Sequence, residues 1–232
     1  PALIVRVGSA ADVQRVLQIT LAELPAVLAG AVAFTTDDLR NVLTSLDQLY
    51  PTLPDELSVA PAITSGPDGT PMLLVSVNWQ GDPDEGAAWV RKVEELGAPV
   101  ASDVHPVTPA QALHSLDGMF PAGRHYTLRT VSLPGLSPEV VDALVEGERR
   151  RVSPFTAVNI HHFHGAATRT DPRRSAWALR EPHLVVELIA TTPDAAGHPD
   201  EVAWADQLLE ELRPNGLPAA YPNLLPSGDT AR

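Results

Sequence analysis

Pro83-Asp84-Glu85-Gly86-Ala87-Ala88-Trp89, running on to Glu94-Glu95-Leu96, returns as Pro199-Asp200-Glu201-Val202-Ala203-Trp204, running on to Glu210-Glu211-Leu212. A proline followed by two acids is a helix N-terminus: the ring needs no amide donor there, and the carboxylates complement the exposed N–H groups. Each copy follows two apolar runs with strand-like alternation. The chain therefore reads as two related halves, each β-α-β-β-α.

Outward from the first copy, the alternation in Leu57–Thr64 and Met72–Trp79 predicts two strands. Between them, Gly66-Pro67-Asp68-Gly69 is a hairpin turn. Upstream, Val27–Phe34 is a strand and Thr36 caps a helix carrying Leu39, Val42, Leu43, Leu46 and Leu49, which Pro51 and Pro54 end. Asp82 and Pro83 open a helix that Gly97 stops. The second half predicts strand Arg124–Val131, a helix from Ser137-Pro138 to about Arg151, strands Phe155–Phe163 and His183–Thr191, and helix Pro199–Leu212. Between the halves, Pro99–Pro121 reads as a linker with one short helix, Pro109–Met119. Before them, Ala2–Val7 is a strand and Ser9 caps a helix; after them, Arg213–Arg232 reads as irregular. The expected fold is α+β: duplicated halves forming one mostly antiparallel sheet of about six strands, with helices on one face.

The 232 residues carry 16 Lys plus Arg against 29 Asp plus Glu, a formal charge of −13. So acidic a surface repels nucleic acid and anionic lipid, and neither is an expected partner. No cysteine occurs, which removes disulfides and thiolate metal sites. No apolar run approaches the ~20 residues of a membrane span, and the start lacks a signal-type core. A cytoplasmic location is expected.

Because side chains alternate along a strand, each strand reports on both faces. Leu57, Val59, Ile63, Leu73, Val75, Val77, Trp79, Leu184, Val186 and Leu188 belong under the helices. The opposite set is small or polar: Ala29, Ala31, Ser58, Ala60, Thr64, Ser76, Asn78, His125, Thr127, Arg129, His183 and Glu187. Such a face is solvated surface or the floor of a polar pocket. In Asn159-Ile160-His161-His162-Phe163-His164-Gly165, His161 and His162 point to opposite faces, so only one meets Arg129 and Glu187; alternation alone leaves open which. A histidine facing Glu187 suits acid–base work, while an ion pair of Glu187 with Arg129 or Arg180 is the structural alternative. A strand offers His162 and His164 to one side with no third ligand nearby in sequence, so no metal site is expected. Tyr126 and Tyr221 read as amphipathic fillers or as hydroxyls that position an oxygen. Arg149-Arg150-Arg151 and Arg173-Arg174 read as solvated charges. No P-loop, G-x-G-x-x-G, H-E-x-x-H or G-x-S-x-G motif occurs.

Several stretches, in order, resemble the substrate-binding domain of berberine-bridge-type FAD-linked oxidases of the vanillyl-alcohol-oxidase superfamily. They are Asn78-Trp79-Gln80-Gly81-Asp82 on to Leu96-Gly97-Ala98-Pro99; Gly123-Arg124-His125-Tyr126; the His-rich strand closing on Gly165-Ala166; Ala176-Trp177-Ala178-Leu179-Arg180; and Ala220-Tyr221-Pro222-Asn223. The resemblance covers about residues 26–229. It implies that the helix-free face walls a substrate cavity. It implies catalytic positions at His162, Glu187 and Tyr221, and substrate contacts at Asn78, Tyr126, Arg129, His161 and Asn223. Residues 1–25 resemble a remnant of the start of a flavin-binding domain, with residues 26–232 as the substrate-binding domain. The glycine-rich loop and pyrophosphate cradle that would follow the remnant do not occur.

Three functions are consistent with this reading. One is a flavin-free cyclase or isomerase acting on a natural-product intermediate. Another is the substrate half of an FAD-dependent oxidase, with FAD as cofactor where a flavin domain is supplied. The third is a non-catalytic scaffold. A small-molecule substrate is the expected partner, and a homodimer through the helix-free face is the expected assembly if no ligand covers it.

Overall fold

The computed structural model describes residues 26–115, 117–171, 173, 179–218, 221 and 224. The expected strand and helix of residues 1–25 lie outside the described residues. So do Asn223, most of the segment 176–180 and most of the tail.

One sheet of seven strands organises the molecule. The strands are β1 Val27–Thr35, β2 Leu57–Ser65, β3 Pro71–Trp79, β4 Pro99–Val107, β5 His125–Leu133, β6 Ala157–Phe163 and β7 His183–Thr192. They lie in the order β4-β1-β3-β2-β6-β7-β5, and every neighbouring pair is antiparallel. The order β1-β3-β2 mirrors β5-β7-β6 about the β2–β6 junction, so the duplication read from the sequence is built into the sheet. The junction pairs Ala62 with Asn159 and Ile63 with Val158.

Helices α1 Leu39–Leu49, α2 Pro83–Glu94, α4 Pro138–Arg150 and α5 His198–Leu212 accompany the sheet, with a short α3, Pro109–His114. All ten residues assigned to the helix-covered side are buried there. With Leu43, Leu46, Leu144 and Leu208 they form one core. Each fully buried Leu or Val stabilises the fold by about 1.5–3 kcal/mol.

The repeated phrase has diverged between its copies. Asp82 caps α2 by accepting from the N–H groups of Asp84 and Glu85, and Glu85 is exposed. Its counterpart Glu201 is 2% exposed and accepts from Ser153 N and Thr156 Oγ1. Trp204 is buried and donates to Gly147 O at 2.8 Å. Trp89 is only half-buried, with Lys92 Nζ 3.5 Å from its ring centroid.

Three expectations need correction. Pro99–Val107 is an edge strand, β4, paired with β1 along its length, and the helix after it ends at His114. Its prolines are tolerated because an edge strand has one free side. Gly30 makes the pairing close: at φ 153°, a Cβ there would stand 1.8 Å from Asp103 O. Second, Thr36 opens a 3-10 turn, and α1 begins at Leu39. Third, Arg151 is not a solvated charge. Its side chain is 3% exposed; it pairs with both carboxylate oxygens of Glu148 at 2.7 and 2.9 Å. It also donates to Ser65, Ser153, Thr156 and Thr64. A buried guanidinium persists only where its donors are met in this way.

Candidate functional site

Register decides which side chains share the helix-free face. One row crosses it from Ala33 through Leu74, Ala62, Asn159 and Glu187 to Thr130. Small residues on β1 and β2 leave the floor low, and the polar groups rise from β6 and β7. Among the described strand positions, none on this face is a lysine or arginine.

Glu187 is 8% exposed and lies near the middle of β7. His161, on the same face of β6, brings Nε2 to 3.1 Å from Glu187 Oε2. Asn159 Nδ2 donates to the same oxygen at 3.4 Å. The His161 ring is about half exposed, so the pair joins a sunken carboxylate to a ring that a bound molecule reaches. A carboxylate held this way can accept a proton from a hydroxyl, with the imidazole steadying the charge. Val185, beside the pair on β7, is 1% exposed.

The remaining predicted residues divide between the faces. Asn78 is on the helix-free face, paired with Ala29 and Ser58, and accepts from Gln80 at 3.5 Å. Tyr126 is on that face too, opposite Thr191; its hydroxyl donates to Pro121 O at 2.7 Å. Tyr221 lies with its ring centroid 5.7 Å from that of Phe163. Phe163 in turn stacks on His183 at 4.8 Å, at the end of the same face.

Arg129, with His125 and Thr127, is on the helix-covered side, level with Leu188, Ala190 and Thr192. Arg129 donates to Asp206 on α5 at 2.7 Å, and Thr127 meets His198 at 2.8 Å. Their polarity suggested the opposite face. But β5 is an edge strand, so its core-side positions emerge at the rim of α5 and suit polar side chains. Arg129 is thus not a neighbour of Glu187.

His162 is also turned to the helix-covered side, level with Leu184. Its ring lies 4.2 Å from that of Tyr50 and stacks on His164 at 4.4 Å. Burial, aided by the nearby His164 and His183, lowers its pKa from the ordinary 6.5 to about 3. Of the adjacent pair, His161 is the one that meets Glu187. Asn159 went unrecognised in the sequence, although it shares the parity of His161 and was available once that face was fixed.

No family model matches the chain. Among curated proteins it is 23% identical over 192 residues to the FAD-linked oxidoreductase aurO of Gibberella zeae, covering 81% of this chain and 38% of that protein. It is 21% identical over 164 residues to an FAD-linked oxidoreductase of Dictyostelium discoideum, covering 70% and 35%. Among solved structures, berberine-bridge-enzyme-like 1 of Physcomitrella patens superposes with a TM-score of 0.74 at 12% identity, over 88% of this chain and 46% of that one. GilR, solved with pregilvocarcin and described as an oxidoreductase of gilvocarcin biosynthesis, gives 0.69 at 14%, over 85% and 44%. The chain spans under half the length of each. Its fold is that of a partial berberine-bridge-enzyme-like domain.

Proposed function

We propose that the helix-free face is the substrate-binding wall of an FAD-linked oxidoreductase, and that Glu187 and His161 handle a proton there. The observation that carries this reading is the 3.1 Å approach of His161 to a carboxylate that is 8% exposed. That approach lies on the side of the sheet that no helix among the described residues covers. A merely solvated face has no need to sink a carboxylate and steady it with two side chains.

The fit to FAD itself is limited. A pyrophosphate calls for backbone N–H groups or cations, whereas the described helix-free face carries Glu187 and Asp103 and no lysine or arginine. The described residues therefore suit the substrate and not the nucleotide. The proton transfer in this reading needs only Glu187 and His161.

In this reading the low floor over Ala31, Ala33 and Ala62 admits a flat organic molecule. A hydroxyl of that molecule lies against Glu187, and Tyr221 with Phe163 closes one end. Titration with a panel of phenolic and polycyclic alcohols, followed by amide chemical shifts, tests it. Binding that perturbs Ala31, Ser76 and Asn159 and weakens in Glu187→Gln supports the reading. Binding by no member, or a dimer that hides the face, overturns it. Conversion of a bound alcohol without any flavin would assign the face to non-redox cyclisation or isomerisation.

A further inference from the structure

On the opposite side of the sheet, α1 runs into a 3-10 turn that begins at Tyr50, and the loop after β5 passes beside the end of β6. Between them lies a cleft of about 560 Å³, lined by Tyr50 and His162 and walled by Leu53, Pro134 and Leu184. That volume falls within the roughly 300–1,000 Å³ of small-molecule sites.

Two polar atoms of this lining are buried without a hydrogen-bond partner among the described residues: Tyr50 Oη and His162 Nδ1. Tyr50 is 6% exposed. An unmet buried hydroxyl or ring nitrogen costs about 1–3 kcal/mol, so such atoms are retained where something meets them. Their rings lie 4.2 Å apart between centroids, tilted by 35°, which sets the two side chains next to each other in the lining.

We infer that this cleft is a second small-molecule site, taking a compact uncharged ring whose hydroxyl or carbonyl hydrogen-bonds to Tyr50 Oη and His162 Nδ1. The class follows from charge and shape. Among the described lining residues, the carboxylates of Asp47 and Asp55 are offset by one guanidinium, that of Arg169, which is engaged with Asp55, so an anion is disfavoured. Burial keeps the Tyr50 phenol protonated and the His162 imidazole neutral at ordinary pH, so neither supplies a charge. Among the described residues the cleft meets the helix-free face at His183, while Tyr50 and Glu187 lie on opposite sides of the sheet, so variants at each test the two sites separately.

The test uses phenol, with benzoate as its anionic counterpart, on the full chain. Phenol is expected to shift the amide signals of Gly135, Gly165 and Leu184, a set distinct from the Ala31, Ser76 and Asn159 signals of the helix-free face. Tyr50→Phe should weaken phenol about tenfold, the scale of one lost hydrogen bond. Leu53→Trp, which fills the cleft from its rim, should abolish binding, and benzoate should bind more weakly than phenol. Phenol binding that both variants leave unchanged would overturn the assignment. So would benzoate binding as tightly as phenol, or a structure grown with phenol that shows only water between Tyr50 and His162.

Discussion

His161 Nε2 stands 3.1 Å from Glu187 Oε2 on the helix-free side of the sheet, while His162, one residue on, is turned to the other side, against Tyr50 and stacked on His164. Two adjacent histidines thus serve opposite faces. One is half exposed beside a carboxylate; the other is buried and neutral.

Glu187→Gln keeps the shape of the side chain and its contact with Asn159 but removes the charge that faces His161. The expected outcome is loss of ligand binding or turnover, with the melting temperature within about 4 °C of wild type, the shift that ~1 kcal/mol produces in a chain of this size. Thermal unfolding alongside a binding titration checks it. A large destabilisation with binding intact would make Glu187 structural.

His162 makes stability depend on pH with a fixed sign. Its folded pKa, about 3, lies below the ordinary 6.5, so the unfolded chain binds the proton more readily. The contribution is fully present above about 6.5 and is lost as pH falls toward 3. His183, lowered mainly by burial, adds in the same direction. Urea midpoints from pH 7 to 4 should therefore fall less steeply in His162→Gln than in wild type. Parallel curves would remove His162 as a cause.

Arg151→Met strands the Glu148 carboxylate, whose side chain is 7% exposed. The expected loss is about 3–5 kcal/mol, the cost of an unpaired buried charge. Replacing Glu148 by Leu in the same chain should restore much of it. Denaturant unfolding of the two variants measures both. Equal instability in both would show that the bonds to Ser65 and Thr156 matter more than the charge.

Gly30→Val places a Cβ against the Asp103 carbonyl and should release β4 from the sheet. Hydrogen exchange is expected to accelerate at β4 amides, with β2 and β3 still protected. Uniform acceleration would show that β4 is integral to the core.

The duplicated architecture was legible because Pro-Asp-Glu helix starts and alternating apolar strands are local signals. The apolar set from Leu57 to Leu188 followed directly from period two. β4 was obscured by Pro99, Pro106 and Asp103, which argue against a central strand but not an edge one; Gly30, a glycine inside a strand, was the available sign of a close neighbour. Arg129 was placed on the wrong face because polarity was read as exposure, whereas its charge is met by Asp206 across 77 residues, a pairing no local pattern encodes. The choice between His161 and His162 needed the β6–β7 register, which is set by tertiary pairing.

The most direct test of the account is chemical-shift mapping of wild type and Glu187→Gln with whichever polycyclic or phenolic alcohol binds best outside the Tyr50 cleft. The account predicts perturbations along Ala31, Ser76, Asn159 and His161 in wild type, and their loss in the variant. Perturbations confined to the helix-covered side, or unchanged by the substitution, would contradict it.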